Sequence, residues 1–318
     1  MITLYELQWS HYCEKIRLAL NYMGLPWRAV SIDAFSKREL RDHPLPGHLP
    51  NYTVPAIHDA ASGAFIMDST PILRYLARAY PDAPLLFPGD AATREAIDAK
   101  LLEFDSQLSL PARRFGYTQV ILECPSLLPR LFLRHRARGL FLIPGIRRMA
   151  AWTLSALLTK RFDFHRSERL GLYEALEQYL VGLAQQLEGN RFVVGDAFSA
   201  ADLALAAQLR PLTIVPFFAE HPALRGLFER HRQILARWAG EAASQYQQAI
   251  AEARARRPPV RRKLRSVNAP LPFAARGGFA DNDQKAVCSW DIVAAPWHYA
   301  VSLRRNKVRA RLASASVR

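Results

Sequence analysis

Residues 81–90 read PDAPLLFPGD, with three prolines and a glycine in ten positions. No helix or strand interior tolerates that density, because each proline fixes φ and removes a backbone donor. The stretch therefore divides the chain, and the apolar periodicity differs on its two sides. Before it, strand-like segments alternate with helical ones; beyond it every periodic segment reads as helix. That order predicts a small α/β domain followed by an all-α domain.

In the first part, residues 2–7 form an apolar strand. Cys13, Ile16, Leu20 and Met23 then fall at helical spacing over 13–24, closed by Gly24 and Pro26. Residues 27–33 read as a second strand and 36–43 as a short polar helix. VPAIHD and AFIMD, separated by ASG, give a hairpin signal with Gly63 in or beside the turn. A helix over 70–79 follows, with Thr70 as its cap and Pro71 in its first turn. Past the linker, helices are predicted over 91–109, in several segments between 113 and 160, and over 166–188, 199–210 and 222–254. The predicted divisions are 1–80, the linker 81–90, 91–254, and a tail over 255–318.

A chain of 318 residues, half of them apolar, can build two cores. The net charge of +15 suggests a nucleic-acid partner until it is located. Residues 251–318 hold 15 Lys+Arg against 4 Asp+Glu, whereas residues 1–250 hold 28 against 24. The basicity is mainly a property of the tail, which can meet polyanions without specificity and is expected to be disordered or loosely packed. Cys13, Cys124 and Cys288 are too few and too scattered for a disulfide framework. A reducing compartment, the cytoplasm, is the expected location, and the opening residues do not have the pattern of a signal peptide. No metal site is expected. The apolar stretch 139–160 is interrupted by Pro144, Gly145, Arg147 and Arg148, which argues against a spanning helix. It reads either as a buried or groove-lining helix pair or as an interfacial helix assisted by Arg134, Arg136 and Arg138. Nucleic acid or membrane contact is expected only there or through the tail.

Residues 9–15, WSHYCEK, lie between the first strand and the first helix. A serine stands where a Cys-x-x-Cys motif has its first cysteine, which excludes a dithiol mechanism. Ser10 reads as a plain N-cap, or as a hydroxyl that, together with the positive helix end, stabilises a visiting thiolate. A free thiol titrates near 8.5, and each unit of depression needs about 1.4 kcal/mol, so one charge-assisted hydrogen bond plus a helix terminus supplies roughly one to two units. Cys13 shares the spacing of Ile16 and Leu20, which turns it inward; exposed, it would be an alternative nucleophile. The Val54-Pro55 bond precedes a strand and can be cis, and the backbone before it can pair with an extended peptide. Asp68 and Ser69 precede a helix start suited to an amino acid's amine and carboxylate. A short peptide bearing a thiol would satisfy all three places.

Five segments in order resemble the glutathione transferase family: SHYCEKIRLAL at 10–20, TVPAI at 53–57, DSTPILRYL at 68–76, LLFPGD at 85–90 and FVVGDAFSAAD at 192–202. In the last, Ser199 and Asp202 have the spacing of a capping box. The resemblance covers about residues 1–245. It implies a thioredoxin-like N-terminal domain, a helical bundle after it, glutathione as co-substrate and a homodimer. It further implies that Ser10 donates to the glutathione sulfur and that Val54 pairs with the cysteinyl backbone beside a cis Pro55. Asp68 and Ser69 would hold the γ-glutamyl end. His11 stands where the family often has proline, either to help orient the sulfur or simply exposed. Thr53 replaces a Lys or Gln that helps bind the glycyl end, a contact that would then be weaker or come from His43 or His48. Tyr5, on the first strand, reads as core rather than catalytic. The segment 111–165 is longer than is usual for the family.

Three activities fit these residues. The first is conjugation of glutathione to a small apolar electrophile, a detoxification chemistry, in an acceptor pocket with Phe104, Leu108, Phe115 and Tyr117 as candidates. The second is a glutathione-dependent reductase or lyase using Cys13, and the third a non-catalytic binding module.

Overall fold

A computed structural model describes residues 1–45, 47, 50–132, 143–161, 169–240, 248, 251 and 252. His48, Arg134, Arg136, Arg138, residues 139–142, Cys288, the tail 255–318 and the end of the helix expected over 222–254 lie outside the described residues.

Four strands, β1 (Ile2–Glu6), β2 (Trp27–Ser31), β3 (Ala56–Asp59) and β4 (Ala64–Met67), form one sheet in the order β2-β1-β3-β4. β1 runs parallel to β2, while β3 is antiparallel to both β1 and β4. Side chains alternate across a strand. Ile2, Leu4 and Glu6 therefore face one side, where Glu6 meets Arg17 of helix α1 (His11–Tyr22). Thr3 and Tyr5 face the other side, toward Arg28 and His43. Tyr5 is half-buried there, its hydroxyl on His43 Nε2 at 2.7 Å. Helix α2 (Ser69–Ala79) packs beside α1.

The polar helix expected over 36–43 does not form; a 3-10 turn, Arg38–Leu40, stands in its place. Asp33 Oδ1 accepts from the N–H groups of Phe35 and Ser36 and from the Ser36 hydroxyl, and Lys37 turns left-handed at φ 48°. Such local side-chain bonds compete with the helical ladder. Thr70 is not the cap of α2 either. That position belongs to Asp68, and the Thr70 hydroxyl donates to Asp105 instead.

After the linker come α3 (Ala91–Glu103), a π-helical turn at Phe104–Ser109, and α4 (Leu110–Glu123). They are followed by α5 (Leu128–Phe132), α6 (Pro144–Arg161), α7 (Arg169–Gln186), α8 (Ala200–Leu209), α9 (Pro216–Ala219) and α10 (Arg225–Trp238). The apolar core runs without a break from Leu4 and Leu18 through Phe104 to Leu203 and Leu205. Full burial of each such side chain contributes roughly 1.5–3 kcal/mol. Helix α8 is buried along its length and lies against α1, so the second domain is built onto the back of the first long helix. The Ser199 and Asp202 capping box is formed, with Ala201 N donating to Ser199 Oγ and Ser199 N to Asp202 Oδ2. The linker is pinned as well, since Ala200 N donates to the Leu86 carbonyl at 2.8 Å.

Candidate active site

The sheet topology gathers the predicted residues at one end. Because β3 is antiparallel to β1, the start of β3 lies beside the end of β1, and so does the end of β4. Ser10 follows β1, Pro55 precedes β3 and Asp68 follows β4. A bond from Asp68 N to the Pro55 carbonyl, 3.0 Å, ties the last two together.

Ser10 N donates to the Leu7 carbonyl at 2.8 Å, which turns the chain out of the strand. The residue is then extended (φ −72°, ψ 125°) and caps α1, with Oγ accepting from Cys13 N at 3.4 Å. That bond is long for a cap and uses only a lone pair, so the hydroxyl proton remains available to an anion. Ser10 is 7% exposed and lines a cleft between the domains. Trp9, His11 and Tyr12 form one wall of it; Arg113, Gly116, Tyr117, Arg210 and Pro211 form the other. Trp9 Nε1 donates to the Tyr117 hydroxyl at 3.1 Å across the opening.

His11 is buried and its Nε2 has no hydrogen-bond partner. Burial first, then the charges of Arg113, Lys15 and Arg210, hold its pKa well below the ordinary imidazole value, so the ring is neutral. Cys13 is 0% exposed, and burial, reinforced by the Glu6 charge, pushes its thiol up to about 12. The exposed, acidic thiol that a cysteine mechanism needs is not present in this fold.

Val54-Pro55 is cis. The β1–β3 pairing ends at Tyr5 opposite Ala56, which leaves the Val54 main chain beyond the ladder. Asp68 has φ 75°, a left-handed conformation that a non-glycine residue adopts only when its surroundings impose it. Its carboxylate accepts from Ser69 N at 2.6 Å, and the buried Ser69 hydroxyl has no partner. Thr53 is half-buried in the loop before Val54. His43 stacks on Phe65, ring centroids 4.3 Å apart, on the sheet face away from α1.

Several residues that shape the cleft were not singled out in the sequence. Asp105, in the π-helical turn, accepts from Lys15 Nζ (3.1 Å), Thr70 Oγ1 (3.0 Å) and Gln208 Nε2 (2.7 Å). It thereby joins α1, α2 and α8 behind the site. Beneath the N-terminus of α1, Arg17 binds Glu6 and Glu14, and Arg210 of the second domain binds Glu14 too, all four fully or nearly fully buried. Burial alone would raise the Glu14 carboxyl, but Arg210 and Arg17 outweigh it and hold it below its ordinary value. No spacing in the sequence points to Asp105 or Arg210, since their partners lie up to 202 residues away.

The candidates for an acceptor pocket separate. Phe104 and Leu108 are fully buried and belong to the core, contrary to expectation. Phe115 packs against Tyr173 and Phe218. Tyr117 does line the cleft. The π-helical turn rotates the helix phase there, which a regular 3.6 period misplaces.

Two family models match the chain and together cover more than half of it. Glutathione S-transferase, N-terminal domain, matches residues 4–84, and Glutathione S-transferase, C-terminal domain, matches residues 148–234. Among curated proteins, glutathione S-transferase-like protein ustS of Aspergillus flavus is 37% identical over 95 residues, 26% of this chain. The chain spans about a third (34%) of that relative's length. Among solved structures, a glutathione S-transferase from Rhodospirillum rubrum F11 superposes with a TM-score of 0.50 at 21% identity, covering 76% of this chain and 91% of that one. Drosophila melanogaster glutathione S-transferase isozyme E7 gives 0.51 at 20% identity, covering 80% and 97%. At these identities the likeness is one of fold.

Proposed function

The chain belongs to the glutathione S-transferase family, a thioredoxin-like domain followed by a helical one, and on that premise we propose that it conjugates glutathione to a small apolar electrophile. Glutathione lies along the sheet end, its cysteinyl backbone paired with Val54 beside Pro55 and near Thr53. Its γ-glutamyl end is held by Asp68 and Ser69. The sulfur sits at Ser10, where the hydroxyl donates to it and the N-terminus of α1 favours its charge. The thiol proton leaves to solvent, and the thiolate forms a bond to the electrophilic carbon as the carbon's leaving group departs or its π bond opens. Trp9 and Tyr117 supply the apolar wall against which the acceptor rests.

The observation that carries this reading is Ser10 Oγ in the interdomain cleft, capping α1 at the same sheet end as cis Pro55 and the strained Asp68. A neutral, buried His11 would act on the sulfur only through position. The cysteine route finds no support in a thiol so deeply buried. Among the described residues no helix is long and apolar enough to cross a membrane. We place the working unit in a reducing cytoplasm as a homodimer.

Ser10→Ala should lower kcat/KM for conjugation of a soluble electrophile by roughly tenfold or more, the equivalent of about 1.4 kcal/mol, while retention on immobilised glutathione is kept. Full activity in that variant would remove Ser10 from the mechanism. Retention without turnover of any electrophile by the unmodified protein would leave a binding module.

A further inference from the structure

Helix α6 is where the fold leaves apolar surface open. Its inward face, Ala151, Leu154 and Leu158, is buried against α5, α4 and the turn Pro125–Leu127. Its outward face carries Met149 and Trp152, three residues apart and therefore adjacent on the helix surface, with 65% and 73% of their area exposed. Ile143, just before the helix, is exposed as well. Single exposed apolar residues are ordinary, but a tryptophan and a methionine side by side form a patch that needs a reason.

The charges on the helix itself are all of one sign. Arg148 and Lys160 are exposed on the same helix, and α6 contains no acidic residue. Residues 124–162 hold eight Lys+Arg and no Asp or Glu. Two hydroxyls on α6 are withdrawn, Thr153 Oγ1 donating to the Met149 carbonyl (3.0 Å) and Ser155 Oγ to that of Ala151 (2.7 Å). The outward face thus combines apolar bulk with cations and offers few hydrogen-bonding edges.

We propose that this face of α6 docks on an anionic lipid bilayer. The helix lies in the headgroup plane, Trp152 and Met149 enter the acyl boundary, and Arg148 and Lys160 meet the lipid phosphates and carboxylates. Tryptophan suits that boundary because its ring is apolar while its N–H stays near water. A nucleic acid would use the cations but would leave Met149 and Trp152 without a role, since neither is placed in a groove that tracks a phosphate backbone. The docking is independent of the conjugation chemistry, because none of these four residues lines the Ser10 cleft.

The full chain should co-sediment with vesicles containing about a third phosphatidylserine and not with pure phosphatidylcholine. Met149→Ser with Trp152→Ser should weaken that binding about tenfold, as should Arg148→Glu with Lys160→Glu. All four positions are surface-facing, so unchanged circular dichroism and unchanged conjugation of a soluble electrophile are expected in both variants. Equal vesicle binding by the Met149/Trp152 variant would overturn the proposal and assign binding to the basic tail. So would a failure of the unmodified chain to bind anionic vesicles. A Trp152-dependent complex with duplex DNA alone, or Trp152-dependent self-association in sedimentation, would equally replace the membrane by that partner. Loss of glutathione retention in the unmodified chain would bear on the conjugation reading instead.

Discussion

Cys13 lies in the first turn of α1, sealed from solvent, and a thiol pushed up to about 12 stays protonated at neutral pH. A maleimide applied to the native chain should leave Cys13 unmodified on peptide mapping and should modify it after unfolding in urea; native labelling would revive the mixed-disulfide route. His231 makes a pH-dependent contribution. Its Nδ1 faces the Ala206 carbonyl at 2.6 Å, and burial above all holds its pKa down at about 4, with Arg210 adding to the depression and Glu14 opposing it. An unfolded histidine titrates near 6.5, so between those values the unfolded chain binds the extra proton. Stability is therefore full above about pH 6.5 and is lost as pH falls toward 4, by on the order of 3 kcal/mol. The buried, neutral His11 acts in the same direction. Urea midpoints measured from pH 7.5 to 5 should fall less steeply in His231→Asn, whose amide can still donate to Ala206; an unchanged slope would remove His231 as the source. Ser10 was readable as a cap because the bond needs only a serine oxygen and an N–H three residues on. Asp105 was not, because everything it holds comes from other elements.

At the scale of elements, close approach between helices sets the cleft. A Cβ placed on Gly116 of α4 would lie 2.8 Å from Pro211 Cβ and 3.1 Å from the Pro211 carbonyl oxygen. Replacing a helical glycine by alanine gains up to about 1 kcal/mol of propensity, whereas overpacking against a ring and a backbone costs roughly 1–3 kcal/mol. Gly116→Ala should therefore be destabilised by about 1 kcal/mol in urea melts; a stabilised variant would mean that the 3-10 turn Arg210–Ile214 yields easily. Helix ends follow the same logic. The capping box of α8 was legible because Ser199 and Asp202 satisfy each other within four residues. The end of α10 was not. The helix expected over 222–254 is interrupted after Trp238, where Asn21 Nδ2 of the first domain donates to the Trp238 carbonyl at 2.7 Å and Gly240 has φ 62°, while residues 248, 251 and 252 are again helical. Nothing near residue 238 announces a partner 217 positions earlier.

For the whole molecule, the buried Glu6–Arg17–Glu14–Arg210 cluster joins the two domains under the candidate site. Truncating one member leaves charge buried with fewer partners, so Arg210→Met should cost about 3 kcal/mol in equilibrium unfolding. Adding Glu14→Gln should restore part of that loss, and simple additivity would deny the coupling. The sequence by itself determined the break in regular structure between Ala79 and Ala91, the strand–helix order before it, the helices after it and the serine at the head of α1. Each of these rests on a period, a cap or a proline, all of which act over a few residues. The tertiary structure alone decided by which strand pairings Ser10, Pro55 and Asp68 reach one end of the sheet, and that Phe104 and Leu108 enter the core while Tyr117 faces the cleft. It also decided that Asp105 and Arg210 lock the domains together. Those outcomes depend on strand pairing and on charges that find their partners only when distant segments are buried together, and a one-dimensional pattern carries no term for either.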